Sequence, residues 1–284
     1  MDKLNFNSKY VLNNGVQIPI IGFGTYKIPE GDETVNAVKL ALGAGYRLID
    51  TAKVYRNEAS VGQAIRESGL KREEIFVTTK LWNIDQGYET TLKAIDESLM
   101  KLGMSYVDLY LVHWPTADIQ ALTSINKREE TWKAMEEIYK SGKAKAIGVS
   151  NFTIKHLEEM KNYATVMPAL NQVEFHPFLY QAELLNYCKQ NNIVLNAYRS
   201  LTNGQKINNE VIGEIAKKYN KSNAKVLIRW CIQHGVITLP RSTKREHIEE
   251  NRNVFDFEIS EGDMNTIDAL NENLHLSPDP NNLD

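Results

Sequence analysis

Eight short apolar runs recur along this chain, at residues 20–23, 46–49, 75–78, 107–112, 144–149, 169–173, 193–197 and 236–239. Between them lie polar segments whose apolar residues return every three or four positions: 33–42, 58–67, 88–102, 128–141, 154–161, 181–190, and 207–230 with a break near Asn220. That alternation is the signature of strand-then-helix units. The runs are nearly continuous in apolar character, which suits parallel strands buried on both faces. Eight such units in 284 residues predict an α/β fold, a closed (β/α)8 TIM barrel, whose usual length is about 250 residues. An open, doubly wound sheet is the competing arrangement. It usually carries a G-x-G-x-x-G turn after the first strand, whereas Gly22 and Gly24 are followed here by Thr25, Tyr26 and Lys27, so the barrel is favoured. One domain spanning residues 1–284 is expected.

Ahead of the first unit, runs 10–12 and 17–18 flank Asn13, Asn14 and Gly15. An Asn-Gly pair between apolar runs predicts a β-hairpin, here one that caps the bottom of the barrel, and extra helices are expected near the C-terminus. Residues 277–284 are rich in Pro, Asn and Asp and read as a surface tail.

Composition excludes several functions. The net charge is -3, with Lys and Arg scattered, so no basic field exists to draw a nucleic acid. The two cysteines, Cys188 and Cys231, make neither a disulfide framework nor a metal-ligand spacing. No apolar leader opens the chain, and no run reaches the roughly 18 apolar residues of a membrane span. A reduced, cytoplasmic setting with no metal and no membrane partner is expected. Neither heptads nor a long apolar surface stretch speaks for an oligomer, so a monomer is expected.

In a barrel the carboxyl ends of the strands converge on one mouth, where ligands bind. Those positions here carry chemistry. The second run leads to Asp50, with Tyr55 on the following loop, the third to Lys80, the fourth to His113, the fifth to Ser150 and Asn151. The sixth leads to Gln172 and Glu174, the seventh to Tyr198, the eighth to Arg241 and Ser242. Taken singly, each has a plain structural reading. Asp50, Ser150 and Asn151 are ordinary helix N-caps, Lys80 and Tyr55 are solvated loop residues, and His113 is a satisfied core histidine. Taken together, an acid, an amine, an imidazole and a phenol at one depth are costly to bury without partners, and a functional constellation is the better account.

Seven strings, DTAKVYRNE (50–58), TTKLWN (78–83), LVHWP (111–115), GVSNF (148–152), NQVEFHP (171–177), LPRST (239–243) and ENRNVFDF (250–257), stand in an order and spacing that resembles the aldo-keto reductases. The resemblance covers nearly the whole chain, from about residue 10 to residue 280. It implies a (β/α)8 barrel with NADPH across the mouth and a catalytic tetrad at Asp50, Tyr55, Lys80 and His113. Reducing an aldehyde or ketone needs hydride at carbon, which no side chain supplies, and a proton at oxygen. Tyr55 is the expected donor. A Lys80 ammonium beside it is expected to lower its pKa, because a nearby cation favours the phenolate. Asp50 is expected to hold Lys80, and His113 to orient the carbonyl oxygen.

The resemblance also assigns cofactor contacts. Ser150, Asn151 and Gln172 face the carboxamide, Tyr198 stacks under the ring, and Thr25, Leu201, Arg241, Ser242 and Thr243 lie along the rest, with the loop through Asn203 and Gly204 near the phosphates. Glu250 and Asn251 match positions that meet adenine, and Tyr26, Trp82 and Trp114 line the substrate pocket, although Trp114 reads equally well as a core aromatic. Two departures bear on the cofactor. Arg199 stands where the family commonly has serine, and His247 falls where a cofactor-selecting arginine is usual. Arg241 replaces the commoner lysine, and both bind phosphate, though not interchangeably. NADPH is expected ahead of NADH. Two rival functions remain on the sequence alone: a Schiff-base lyase or aldolase using Lys80, and a non-catalytic nucleotide-sensing subunit on the same fold. Short segments at residues 116–125 and after Leu274 predict an open pocket for a small carbonyl substrate.

Overall fold

The computed structural model describes residues 3–117 and 125–282. Strands β1 (Lys9–Val11) and β2 (Gln17–Pro19) pair antiparallel, Lys9 against Pro19 and Val11 against Gln17. Gly15 supplies the left-handed turn residue, at φ 86°. Eight parallel strands follow: β3 (Phe23–Gly24), β4 (Leu48–Asp50), β5 (Phe76–Leu81), β6 (Leu109–Val112), β7 (Ile147–Ser150), β8 (Leu170–Glu174), β9 (Val194–Tyr198) and β10 (Ile237–Thr238). Each pairs with its sequence neighbour, so the sheet order is the chain order. Its two edges meet. Ile21 bridges Thr238 in parallel, Gly22 N donates to Thr238 O at 2.9 Å, and Thr238 N donates to Ile20 O at 3.3 Å. The ring is the expected (β/α)8 barrel.

Helices α1 (Asp32–Gly43), α2 (Glu58–Glu67), α3 (Tyr88–Leu102), α4 (Ile125–Lys140), α5 (Ile154–Met160) and α6 (Ala182–Gln190) wrap the ring. The break expected near Asn220 separates α7 (Glu210–Tyr219) from α8 (Asn223–Gln233). Asn220 takes the left-handed C-cap of α7 at φ 53°, and the Ser222 hydroxyl caps α8 by accepting from Lys225 N, so the stop and start signals lie two residues apart. The further C-terminal helices are α9 (Arg245–Arg252) and α10 (Glu261–Asp268).

Alternate strand residues point to opposite faces, and the apolar ones sort into two clusters. Ile49, Val77, Tyr110, Val112, Ile147 and Val149 face the helices. Leu48, Phe76, Leu109, Leu111, Leu170 and Ile237 fill the lower barrel, together with Leu12 and Ile18 of the hairpin. The hairpin therefore plugs the amino ends of the strands, and its Asn13 and Asn14 side chains donate to Pro168 O and Lys145 O at 3.1 and 2.9 Å. Gly148 is required inside this plug. A Cβ there would come within 2.5 Å of Leu170 O and 2.8 Å of Leu111 Cδ2.

Candidate active site

Along each inward column the residue type changes from apolar to polar toward the carboxyl end. Leu48 gives way to Asp50, Phe76 and Thr78 to Lys80, Leu111 to His113, Gly148 to Ser150, and Leu170 to Gln172 and Glu174. The upper layer is buried all the same: Lys80 is 0% exposed, Asp50 4% and His113 8%. Charges so placed must be paired. Lys80 Nζ lies 2.6 Å from Asp50 Oδ1, donates to Thr51 O at 2.9 Å, and donates to Tyr55 Oη at 3.2 Å. The second Asp50 oxygen accepts from Gln172 Nε2 at 2.8 Å. Both the backbone N–H and the hydroxyl of Thr25 donate to Asp50 O, at 3.0 and 2.9 Å.

Tyr55 reaches this layer on a 3-10 turn, Lys53–Tyr55, whose residues are half-buried. Arg56 ends the turn in the left-handed conformation, φ 58°. Asn57 anchors the exit: its Oδ1 accepts from Thr51 Oγ1 at 2.7 Å and its Nδ2 donates to Thr25 O and Ile28 O at 2.9 Å each. The Tyr55 ring sits against Tyr26 and His113, with centroids 5.0 and 5.8 Å away, and His113 meets the Trp82 ring at 5.4 Å. The four residues expected to form a tetrad thus meet at one rim.

Burial governs their protonation. It pushes the Tyr55 phenol well above its ordinary value, and the charge of Asp50 pushes the same way. The expectation that Lys80 would lower it is not met. Desolvation of the phenolate, with the charge of Asp50 behind it, outweighs the nearby ammonium. Burial likewise pulls Lys80 below its ordinary value, against the opposing pull of Asp50. His113 is held well below its ordinary value by burial and then by Lys80, so its imidazole is neutral.

A cleft of about 550 Å³ opens above this layer, its floor including Asp50, Tyr55 and His113. Tyr26, Trp82 and Trp114 line one side, although Trp114 is only 8% exposed. Ser150, Asn151, Gln172 and Tyr198 line the centre, and Leu201, Asn203, Gly204 and Arg241 the far end. The central polar groups hold one another. Ser150 Oγ donates to Gln172 O at 2.7 Å, Asn151 Nδ2 to His113 O at 2.9 Å, and Tyr198 Oη to Asn151 Oδ1 at 2.6 Å. Asn151 adopts φ 63° to present its amide in this way.

Other sequence candidates lie outside the cleft lining. Lys80 is beneath the floor and Thr25 is fully buried behind Asp50. Beyond Arg241 the chain continues over the surface: Thr243 and His247 are exposed, Ser242 and Glu250 are half-buried, and Asn251 is buried. Several lining residues escaped the sequence reading, among them Val54, Ile207, Ser277 and Pro278. Ser277 and Pro278, at the start of the expected surface tail, line the cleft instead. The Glu174 carboxylate accepts from Leu276 N at 2.9 Å and Ser277 N at 2.8 Å, and no local pattern announces a contact between positions so far apart. The short segment expected at residues 116–125 falls largely outside the described residues.

The cleft suits a dinucleotide. Tyr198 offers a half-buried ring. Arg199 lines the cleft, with its Nη1 in an ion pair 3.7 Å from Glu174 Oε2. The loop it begins carries left-handed residues at Arg199, Thr202, Asn203 and Gly204, with φ 56°, 52°, 51° and 82°. Such turns aim backbone N–H groups at anions.

The family model described as Aldo/keto reductase family matches residues 20–272. A glyoxal reductase of Bacillus subtilis (strain 168) is 51% identical over 272 residues, 96% of each chain. Among solved structures, MGS-M4, an aldo-keto reductase enzyme from a Medee basin deep-sea metagenome library, superposes with a TM-score of 0.91 at 44% identity over 98% of this chain and 100% of its own. A mutant of Gox0644 in complex with NADPH superposes at 0.89 with 39% identity, over 97% of this chain and 98% of its own. With its fold, its cleft and nearly its whole length in agreement, the chain belongs to the aldo/keto reductase family and is an NADPH-dependent carbonyl reductase.

Proposed function

We propose that Tyr55 delivers the proton in this reaction, with Lys80 and Asp50 as its electrostatic support and His113 as the group that orients the substrate oxygen. The observation that carries this reading is the contact series Asp50–Lys80–Tyr55, 2.6 and then 3.2 Å, at the floor of a cleft of about 550 Å³. When bound, the nicotinamide supplies hydride to the carbonyl carbon. The raised Tyr55 pKa keeps the phenol protonated until the substrate oxygen becomes basic enough to take the proton. As the phenolate forms, the Lys80 ammonium at 3.2 Å stabilises it. A unit pair about 4 Å apart is worth roughly 4 kcal/mol at an effective dielectric near 20, before the opposing charge of Asp50 is counted. That help grows along the reaction, which is the kind that lowers a barrier. His113, neutral, has an N–H to donate and no charge to compete with Lys80. The burial of Lys80, with its three partners, supports a charge-holding role over imine formation.

Small aldehydes and dicarbonyls are the substrate class this site fits, a reading supported by the 51% identity to a glyoxal reductase. The aromatic residues Tyr26, Trp82 and Trp114 line the cleft beside Tyr55. On the cofactor side, Arg241, Ser242 and Thr243 offer a cation and two hydroxyls to a 2′-phosphate, with His247, Glu250 and Asn251 beyond them. We read residues 1–284 as one domain, supported by the unbroken ring of strands, and as monomeric and cytoplasmic. Two buried free cysteines and the lack of any helix among the described residues long and apolar enough to cross a membrane accord with that. The test is a panel of small carbonyl compounds assayed by loss of NADPH absorbance and repeated with NADH. Turnover of glyoxal or methylglyoxal with preference for NADPH is expected; no oxidation with any carbonyl would overturn the reading.

A further inference from the structure

Three segments carry the walls of the substrate side of the cleft, and polar contacts join them in series. The turn that bears Tyr55 begins at Lys53, whose Nζ lies 2.9 Å from Asp85 Oδ2 and 2.8 Å from Glu97 Oε2 of α3. Asp85 belongs to a second 3-10 turn, Asn83–Asp85, and its backbone N–H donates to Trp82 O at 3.0 Å. The next residue, Gln86, donates from Nε2 to Trp114 O at 2.8 Å and to Thr116 O at 3.1 Å. The Lys53 side chain is only 19% exposed and so is Asp85, so this pair is screened less than a surface ion pair. The residues of the Tyr55 turn are only half-buried, so the Lys53 contacts add to the Lys80 and ring contacts of Tyr55 in placing it.

We propose that Lys53 is a positioning residue that sets the separation between Tyr55 and Trp82, and thereby favours small carbonyl substrates over bulky ones. The proposal rests on the reading of Tyr55 as proton donor. With Lys53 in place, the turn of Tyr55 and the turn of Trp82 are held to a common point and the slot between them has one width. Without it, the two turns move independently. A small substrate then loses its alignment against the Tyr55 hydroxyl, while a bulky one gains room that compensates.

The experiment compares the full-length wild type with Lys53→Met and Lys53→Arg, reducing methylglyoxal and 4-nitrobenzaldehyde with NADPH. For Lys53→Met, kcat/KM for methylglyoxal falls about tenfold through kcat, the aromatic aldehyde changes less than about threefold, and NADPH binding is unchanged. Arg, which can still pair with both carboxylates, restores most of the selectivity. Hydrogen exchange gives an independent readout that needs no turnover. Peptides covering residues 52–57 and 82–86 exchange faster in Lys53→Met than in the wild type or Lys53→Arg, and the barrel strands do not. Unchanged exchange in those peptides, or an equal change for both aldehydes, would overturn the proposal. Failure of the Tyr55 reading would appear separately, as undiminished turnover of both aldehydes by Tyr55→Phe with the exchange difference intact.

Discussion

The two ends of this barrel are built from the same eight strands and follow opposite rules. At the amino end the inward residues are Leu48, Phe76, Leu109, Leu170 and Ile237, sealed by Leu12 and Ile18 of the hairpin. At the carboxyl end, one or two residues further along the same columns, they are Asp50, Lys80, His113, Gln172 and Glu174. Both ends are buried, but only the first gains from burial. An apolar side chain taken out of water stabilises the fold by about 1.5 to 3 kcal/mol, whereas a buried ion pair at best recovers its desolvation cost. The lower half holds the ring in shape, and the upper half uses that shape to keep charges where water would not leave them.

Four measurements would break or sharpen this division. The largest effect is expected from Tyr55→Phe. It removes one oxygen at the mouth and should lower kcat by about 100- to 10,000-fold while NADPH affinity, read by fluorescence titration, stays within a factor of two. Parallel loss of binding and turnover would mean that the mouth is a single structural unit. Next is Lys80→Met, which leaves Asp50 buried and unpaired; chemical denaturation should register a loss of about 3 to 5 kcal/mol together with loss of activity. Adding Asp50→Asn should return much of that stability and none of the activity, separating the two roles of the upper layer. Leu109→Ala at the lower end should cost about 2 to 5 kcal/mol with kcat at 25 °C unchanged within twofold.

The smallest effect is a pH profile. Because burial holds Tyr55 above and His113 below their ordinary values, neither changes charge between pH 6.5 and 9. The reduction kcat should be flat there, and the reverse oxidation, which needs the phenolate, should rise with pH. The stability sign is set by His113. Its folded pKa is depressed, so the unfolded chain binds the extra proton first, and thermal stability falls as pH drops below about 6.5.

The lower end was largely legible in the sequence and the upper end only in part, for a physical reason. Apolar periodicity is local, so helices α2 and α3 can be traced to the residue and the eight strands to within three residues, and Asn13, Asn14 and Gly15 mark the hairpin without knowledge of its partner. The rim positions Asp50, Lys80 and His113 follow from where each run stops. What cannot be traced depends on contacts far apart along the chain. Gln172 spends its amide on Asp50, Glu174 captures Leu276 and Ser277, and Ser277 and Pro278 form a wall although their composition suggests solvent. The protonation of Tyr55 lies beyond the sequence for the same reason. A neighbouring cation can be inferred from spacing, but the depth of burial that outweighs it cannot.

The joint between Ile21 and Thr238 has a bearing on how the protein comes into being. It connects nearly opposite ends of the chain, so no early, local event can make it, and the closure entropy it must overcome is among the largest in the molecule. Arg241 and Lys27, whose guanidinium and carbonyl approach to 3.5 Å, stand on either side of that same joint. A chain still being synthesised can therefore own every strand but the last and lack the Arg241 end of the cleft. Catalytic competence arrives with the final turn of the ring.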